Sequence, residues 1–195
     1  GYGSTGNPIH TSLCIQGAGT VETSIANCER LFPTNTFILR GHSLGGGWCA
    51  AWASLANTQL PVNGQPANPQ FRLRPGKVLG VQTNGMTSAG LGNLAWNDVY
   101  KVMNYVADFV TKIKSINVIL SYGTEDAFAP QDFTRTIQLA LPIDSSVYLV
   151  YPDGDEGHGW ANSKPYLMLE FFNAIYEGRA PIMEDGKPAI RGNGQ

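Results

Sequence analysis

Apolar residues along the chain fall into two alternating patterns. Short runs of four to seven residues, rich in β-branched and aromatic side chains, occupy His10–Gln16, Thr36–Leu39, Lys77–Gln82, Ile116–Tyr122 and Ser146–Tyr151. Turn residues bound them, and the pattern predicts buried strands. Between the runs, apolar positions recur at helical spacing over Val21–Leu31, Leu44–Asn57, Asn97–Ile113, Pro130–Leu141 and Lys164–Glu177. Parallel neighbours need a long connection, which a helix usually supplies. Alternation of this kind therefore predicts an α/β fold, a mostly parallel sheet with crossover helices.

Two stretches depart from the alternation. "LPVNGQPANPQFRLRPG", residues 60–76, carries four prolines and two asparagines and reads either as a surface excursion or as a cap over a site. The segment 179–195 is polar and rich in Gly and Pro, and reads as an extended or frayed tail after a domain ending near residue 178.

Composition narrows the classes. The 195 residues suit one domain. Charged residues are 14% of the chain and the formal charge is −2, which offers nothing to nucleic acid or an anionic membrane. No apolar run reaches the roughly 18–20 residues of a membrane span, and the first residues lack the basic-then-apolar pattern of a leader. Low charge with abundant Gly, Asn, Ser and Thr resembles secreted enzymes, so the expected location is extracellular, with cytoplasmic as the alternative. The three cysteines, Cys14, Cys28 and Cys49, lack zinc-site spacing and read first as small core residues, with room for one disulfide.

Chemistry enters with Gly41-His42-Ser43-Leu44-Gly45, which fits G-x-S-x-G. A strand turning sharply into a helix forces the serine into an unfavourable backbone conformation, and the flanking positions tolerate only small residues. The following helix aims its N-terminus at the serine oxygen, favouring negative charge there. Against this stands a glycine-rich turn that merely contains a serine, in a chain with 23 glycines. An apolar run before the motif and a small-residue helix after it favour the nucleophile.

A serine hydroxyl needs a base, and the base needs an orienting carboxylate. Of three histidines, His10 precedes the serine and His42 lies inside the motif, with its side chain expected to point away from the base position. His158, in "YPDGDEGHGW", follows the last predicted strand and is the candidate base. "INVILSYGTEDAFAP" supplies a strand and then Glu125 and Asp126; Asp126, deeper in the loop, is the preferred acid, against a helix-capping role. Asp153, Asp155 and Glu156 crowd the histidine in sequence and read as loop surface, with one of them as an alternative assisting carboxylate. Trp48, Trp52, Met86, Trp96, Phe128 and Trp160 are aromatic or apolar candidates for a pocket wall, most of them better read as core. His42, Phe128 and Trp160 are the substrate-contact candidates.

With these residues in place the chain resembles the α/β-hydrolase superfamily, from about His10 to Glu177 in element order. Ser43 in "GHSLGG", Asp126 in "GTEDAFAP" and His158 in "EGHGW" match the family's catalytic positions. The last two phrases are similar to the prolyl oligopeptidase and dienelactone hydrolase branches, whereas "GHSLGGG" is equally at home in lipases and esterases.

The resemblance implies a serine hydrolase acting on a small-molecule ester, with no metal or organic cofactor. It also implies an oxyanion hole built from the Leu44 N–H and a second donor. Candidates for that donor are Tyr2 or Gly3 in "GYGSTG", or the turn Gln16–Gly19; "GYGSTG" also resembles the turn after a later strand of the peptidase branch. The family places about three strands and two helices ahead of the serine, whereas 42 residues precede Ser43 here. The expectation is a minimal or N-terminally truncated fold whose sheet edge is open to association. A peptidase of the prolyl oligopeptidase type and a catalytically silent binding module are the rival readings.

Overall fold

A computed structural model describes residues 7–58, 71–85, 116–127, 139, 141–151 and 156–194, without the side chains of 7–16, 44, 54 and 57–58. Four strands, β1 (Phe37–His42), β2 (Val78–Asn84), β3 (Asn117–Ser121) and β4 (Val147–Val150), form one parallel sheet in the order β1-β2-β3-β4. Among the described residues three helices accompany it, α1 (Asn7–Leu31), α2 (Leu44–Thr58) and α3 (Pro165–Glu177), together with a 3-10 turn at Trp160–Asn162. The predicted helix over 97–113 lies outside the described residues, as does all of the predicted helix over 130–141 but Leu139, which is helical, and Leu141, which is in a bend, and as does 60–70 of the proline-rich stretch.

Alternation along the strands divides the core. Val118 and Leu120 of β3 and Val147 and Leu149 of β4 face α1 and α2, while Ile119, Tyr148 and Val150 face α3. On the second face α3 contributes Leu167, Met168, Phe171, Ala174 and Ile175. Gly80 of β2 makes this close packing feasible, since a Cβ there would lie 2.5 Å from Ile175 Cγ2. β1 differs from its neighbours. Phe37, Ile38 and Leu39 are only half-buried and Arg40 is exposed, and no strand pairs its outer edge among the described residues.

One predicted strand is a helix. His10–Gln16 lies inside α1, which runs unbroken for 25 residues. A short apolar run cannot by itself separate strand from helix. The wider spacing decides: Cys14, Ala18, Val21, Ile25 and Cys28 recur at steps of four and three, and Ala18 and Ile25 are fully buried on α2. Gly17 lets α1 accept the Trp48 indole, whose Cδ1 would stand 2.2 Å from an added Cβ. The turn Gln16–Gly19 is helix interior too, with its amides in the helical ladder, and so is excluded as an oxyanion donor. Cys28 and Cys49 are both free thiols, so the candidate disulfide does not join them; burial pushes the Cys49 thiol up to about 11.

A polar clamp secures α1 to the entry of β2. Arg74 pairs with Glu22 at 2.5 Å and Glu29 at 2.9 Å, and Trp52 Nε1 donates to Glu22 Oε2 at 2.7 Å. Burial raises the Glu22 carboxyl, but the hydrogen bonds from Arg74 and Trp52 outweigh it and leave the group below its ordinary 4.5. A depressed carboxylate stabilises the fold fully above the unfolded value and loses that contribution as pH falls through the folded one. Wild type therefore loses the clamp below pH 4.5. Glu22→Gln is expected to cost about 1–2 kcal/mol at neutral pH, because it removes the closer of the two carboxylates facing a part-buried Arg74 and leaves Glu29 as its remaining charge partner. Chemical denaturation at pH 7 and pH 3 checks this: the gap between the two proteins narrows in acid.

The last residues are anchored. Gly178, at φ 67, closes α3, with its N–H directed to Ala174 and Ile175. Arg179 pairs with Glu170 and Glu177. The chain then returns across the sheet: Ala180, Met183 and Ala189 pack on the α3-side core, and Arg191 bridges antiparallel to Tyr148. Gly192 N donates to Val147 O at 2.8 Å. Small apolar residues in a polar segment and one bidentate arginine explain why it does not fray.

Candidate active site

In a parallel sheet all carboxyl ends share one edge, and here the loops leaving β1, β3 and β4 meet there. Ser43 stands between the end of β1 and the start of α2 with φ 56, and is the one non-glycine residue with positive φ among the described residues. An L-residue in this region is strained, and such strain concentrates at functional sites. Gly41 shows why the motif needs a glycine before the serine: a Cβ there would come 2.3 Å from Gly45 O and 2.6 Å from Gly46 N. Gly45 has open space around it among the described residues, so the steric demand shown there falls on Gly41.

Ser43→Gly relieves roughly 1–2 kcal/mol of left-handed strain, offset in part by the extra freedom of unfolded glycine. Its thermal unfolding is expected to give a protein more stable by about 0.5–1 kcal/mol, with no hydroxyl to react.

Leu44 opens α2, so its N–H lacks an intrahelical acceptor. Gly46 and Gly47 N–H groups instead turn back on Ser43 O. Tyr2, the proposed second donor, lies outside the described residues, as do Phe128, Met86, Trp96, Asp153 and Asp155.

Asp126 and His158 are brought together. His158 Nδ1 lies 2.8 Å from Asp126 Oδ2 and 3.0 Å from Oδ1, with the carboxylate side chain fully buried and the imidazole 21% exposed. Glu125, the other candidate, is exposed. The two loops are stitched by backbone: Glu125 N donates to Glu156 O at 2.7 Å, and Glu156 N to Thr124 Oγ1 at 3.1 Å. Gly123 permits that approach, for a Cβ would sit 2.2 Å from Glu156 O. Beneath Asp126, Tyr122 is fully buried, and burial above all, then Tyr151 and Asp126, raises its phenol well above 10.

The serine is tied to this pair through β2. Ser43 N donates to Asn84 O at 3.0 Å, and Gly85, the next residue, abuts both His158 and Asp126. Among the described residues Ser43 Oγ makes no hydrogen bond, so the carboxylate–imidazole contact is formed and the imidazole–hydroxyl contact is not. Such contacts often tighten only with substrate bound.

His42 does not point away from the base. Its ring centroid is 4.7 Å from that of His158, and its Nε2 donates to His158 O at 3.0 Å. An exposed side chain on the same face as Arg40, it also lines a cleft of about 350 Å³ with Arg40, Asn84, Gly159, Ala161 and Asn162. Asn84 Oδ1 is buried there without a partner among the described residues. Trp160, expected at a pocket wall, is 2% exposed and packs edge-on against Phe171 at 6.3 Å, which makes it core. The roles of Gly85 and Gly123 come from the structure; their signals in the chain are the Asn-Gly turn at the end of β2 and the glycine after "SY".

An imidazole held at Nδ1 by a buried carboxylate has its tautomer fixed, leaving Nε2 to exchange a proton with a reacting group. No described group of His, Cys, Asp and Glu could hold a metal ion, and no described helix is long and apolar enough to cross a membrane.

No protein-family model and no curated protein matches the chain in sequence. Solved structures do match it in shape. A predicted CIB-like hydrolase from Thermoplasma acidophilum aligns with TM-score 0.51 at 16% identity, over 83% of this chain and 60% of that one. A monoacylglycerol lipase from Paleococcus ferrophilus aligns with TM-score 0.51 at 15% identity, over 89% of this chain and 77% of that one. The chain thus spans less than two thirds of the first and about three quarters of the second. Parallel sheet, serine turn and these likenesses together establish that the chain has the α/β-hydrolase fold.

Proposed function

We propose that the protein is a serine hydrolase that cleaves carboxylic esters of small molecules through an acyl-enzyme. In this reading His158 Nε2 takes the Ser43 proton as Oγ attacks the ester carbonyl. Asp126 holds the imidazole tautomer and stabilises the imidazolium. The Leu44 N–H and a second backbone donor bind the oxyanion. The C–O bond breaks, His158 passes the proton to the leaving alkoxide, and water then attacks the acyl-enzyme with His158 again as base.

The observation that carries this is the buried Asp126–His158 contact on the same sheet edge as a left-handed serine at the start of a helix, the two linked through Asn84 and Gly85. The monoacylglycerol lipase of similar fold is in keeping with an ester substrate. Among the described residues no strand pairs the outer edge of β1, which is in keeping with association through backbone pairing. Turnover of a p-nitrophenyl ester series, from acetate to octanoate, tests the activity. Release of p-nitrophenol above the rate in buffer supports it, and no release from a folded sample contradicts it.

A further inference from the structure

Gly85 stands directly after β2 at the centre of the carboxyl edge, buried, with φ +53. Its N–H donates to Ser121 O at 2.7 Å, which fixes it to the end of β3. Its neighbour Asn84 accepts the Ser43 amide on the other side, so this short stretch is the common support of β1's serine and β3's acid loop.

What a side chain would meet there is specific. A Cβ on Gly85 would stand 2.9 Å from His158 Nδ1, 3.0 Å from Asp126 Oδ2 and 3.0 Å from His158 Cε1. Those are the two atoms of the imidazole–carboxylate hydrogen bond and a ring carbon beside it. The two partners differ in the room they have to give. Asp126 is fully buried in a loop closed by its own N–H on Gly123 O and by Glu125 N on Glu156 O. His158 is the more exposed of the two, so a methyl group at residue 85 drives the ring outward and off the carboxylate.

We infer that Gly85 is a positioning residue: its bare Cα is the wall against which the His158 imidazole is seated on Asp126, in register with Ser43. The inference rests on the proposed reading only for its effect on catalysis; the seating itself is a geometric claim. Positive φ alone would already favour glycine, so the two requirements must be separated. Gly76 separates them. It has φ +72, and nothing lies within 4 Å of an added Cβ.

The experiment compares Gly85→Ala with Gly76→Ala in the whole chain. The first readout is the low-field proton resonance of the His158 Nδ1–H held by Asp126, which needs no substrate. It is expected to be present in wild type and Gly76→Ala and absent in Gly85→Ala. The second is p-nitrophenyl ester turnover, with kcat expected to fall about 100-fold in Gly85→Ala at unchanged KM, as for a misplaced catalytic group. Gly76→Ala is expected to keep the wild-type kcat.

An intact resonance and wild-type kcat in a folded Gly85→Ala would overturn the inference. If Gly85→Ala does not fold, the same change is made in His158→Ala, where the ring it would strike is gone. Recovered folding supports the seating, and a variant still unfolded there overturns it. Were wild type to turn over no ester, loss of the resonance in Gly85→Ala would still support the seating while the esterase reading fell.

Discussion

Ser43→Ala is expected to abolish ester turnover, with kcat lowered on the order of a millionfold, while the fold is retained. The size follows from what the hydroxyl does in the proposed cycle. Without Oγ there is no acyl-enzyme, and only transition-state contacts to an attacking water remain. The fold should tolerate the change because alanine accepts the same backbone with the same strain as serine. The contacts that hold the turn are main-chain: Ser43 N to Asn84 O, and Gly46 N to Ser43 O. Steady-state kinetics beside a thermal melt would check both halves. Full activity in the variant would remove Ser43 from the mechanism, whatever its φ of 56 suggests.

The second large effect is at the acid. Asp126→Asn is expected to lower kcat about 10⁴-fold with little change in KM. Both carboxylate oxygens lie within 3.0 Å of His158 Nδ1, so the site is built for an acceptor facing an N–H. An amide rotated to present its NH₂ stabilises the opposite tautomer, with the proton on Nε2, where it cannot accept the serine's. It also carries no charge to meet an imidazolium forming in the transition state. Glu125→Gln is the matched control, since Glu125 is exposed one residue away. Equal losses in the two variants, read from kcat at saturating ester, would contradict the assignment of Asp126.

Much of this arrangement is legible in the chain itself. Lys77–Gln82, Ile116–Tyr122 and Ser146–Tyr151 become β2, β3 and β4 because apolar β-branched runs bounded by turns have few other uses. Gly41-His42-Ser43-Leu44-Gly45 marks the strand-to-helix turn because close approach of Gly45 leaves no space at residue 41. Asp126 rather than Glu125 follows from loop depth, which the structure expresses as burial.

Other features depend on partners distant in sequence. Whether His10–Gln16 is strand or helix turns on Ala18, Ile25 and the Trp48 seat at Gly17, none of which the local run contains. His42 folds back on His158, 116 positions away. Trp160 looks like a loop aromatic until Phe171 covers it. The glycines at 85 and 123 carry no periodicity, and their reason appears only when two loops meet.

The most direct measurement is labelling of the folded protein with a fluorophosphonate, followed by peptide mapping of the modified residue. The account predicts a single adduct on Ser43, formed at a rate that collapses in His158→Ala and Asp126→Asn. A folded protein that stays unmodified, or one modified elsewhere, would contradict it and leave the α/β-hydrolase fold serving as a binding module.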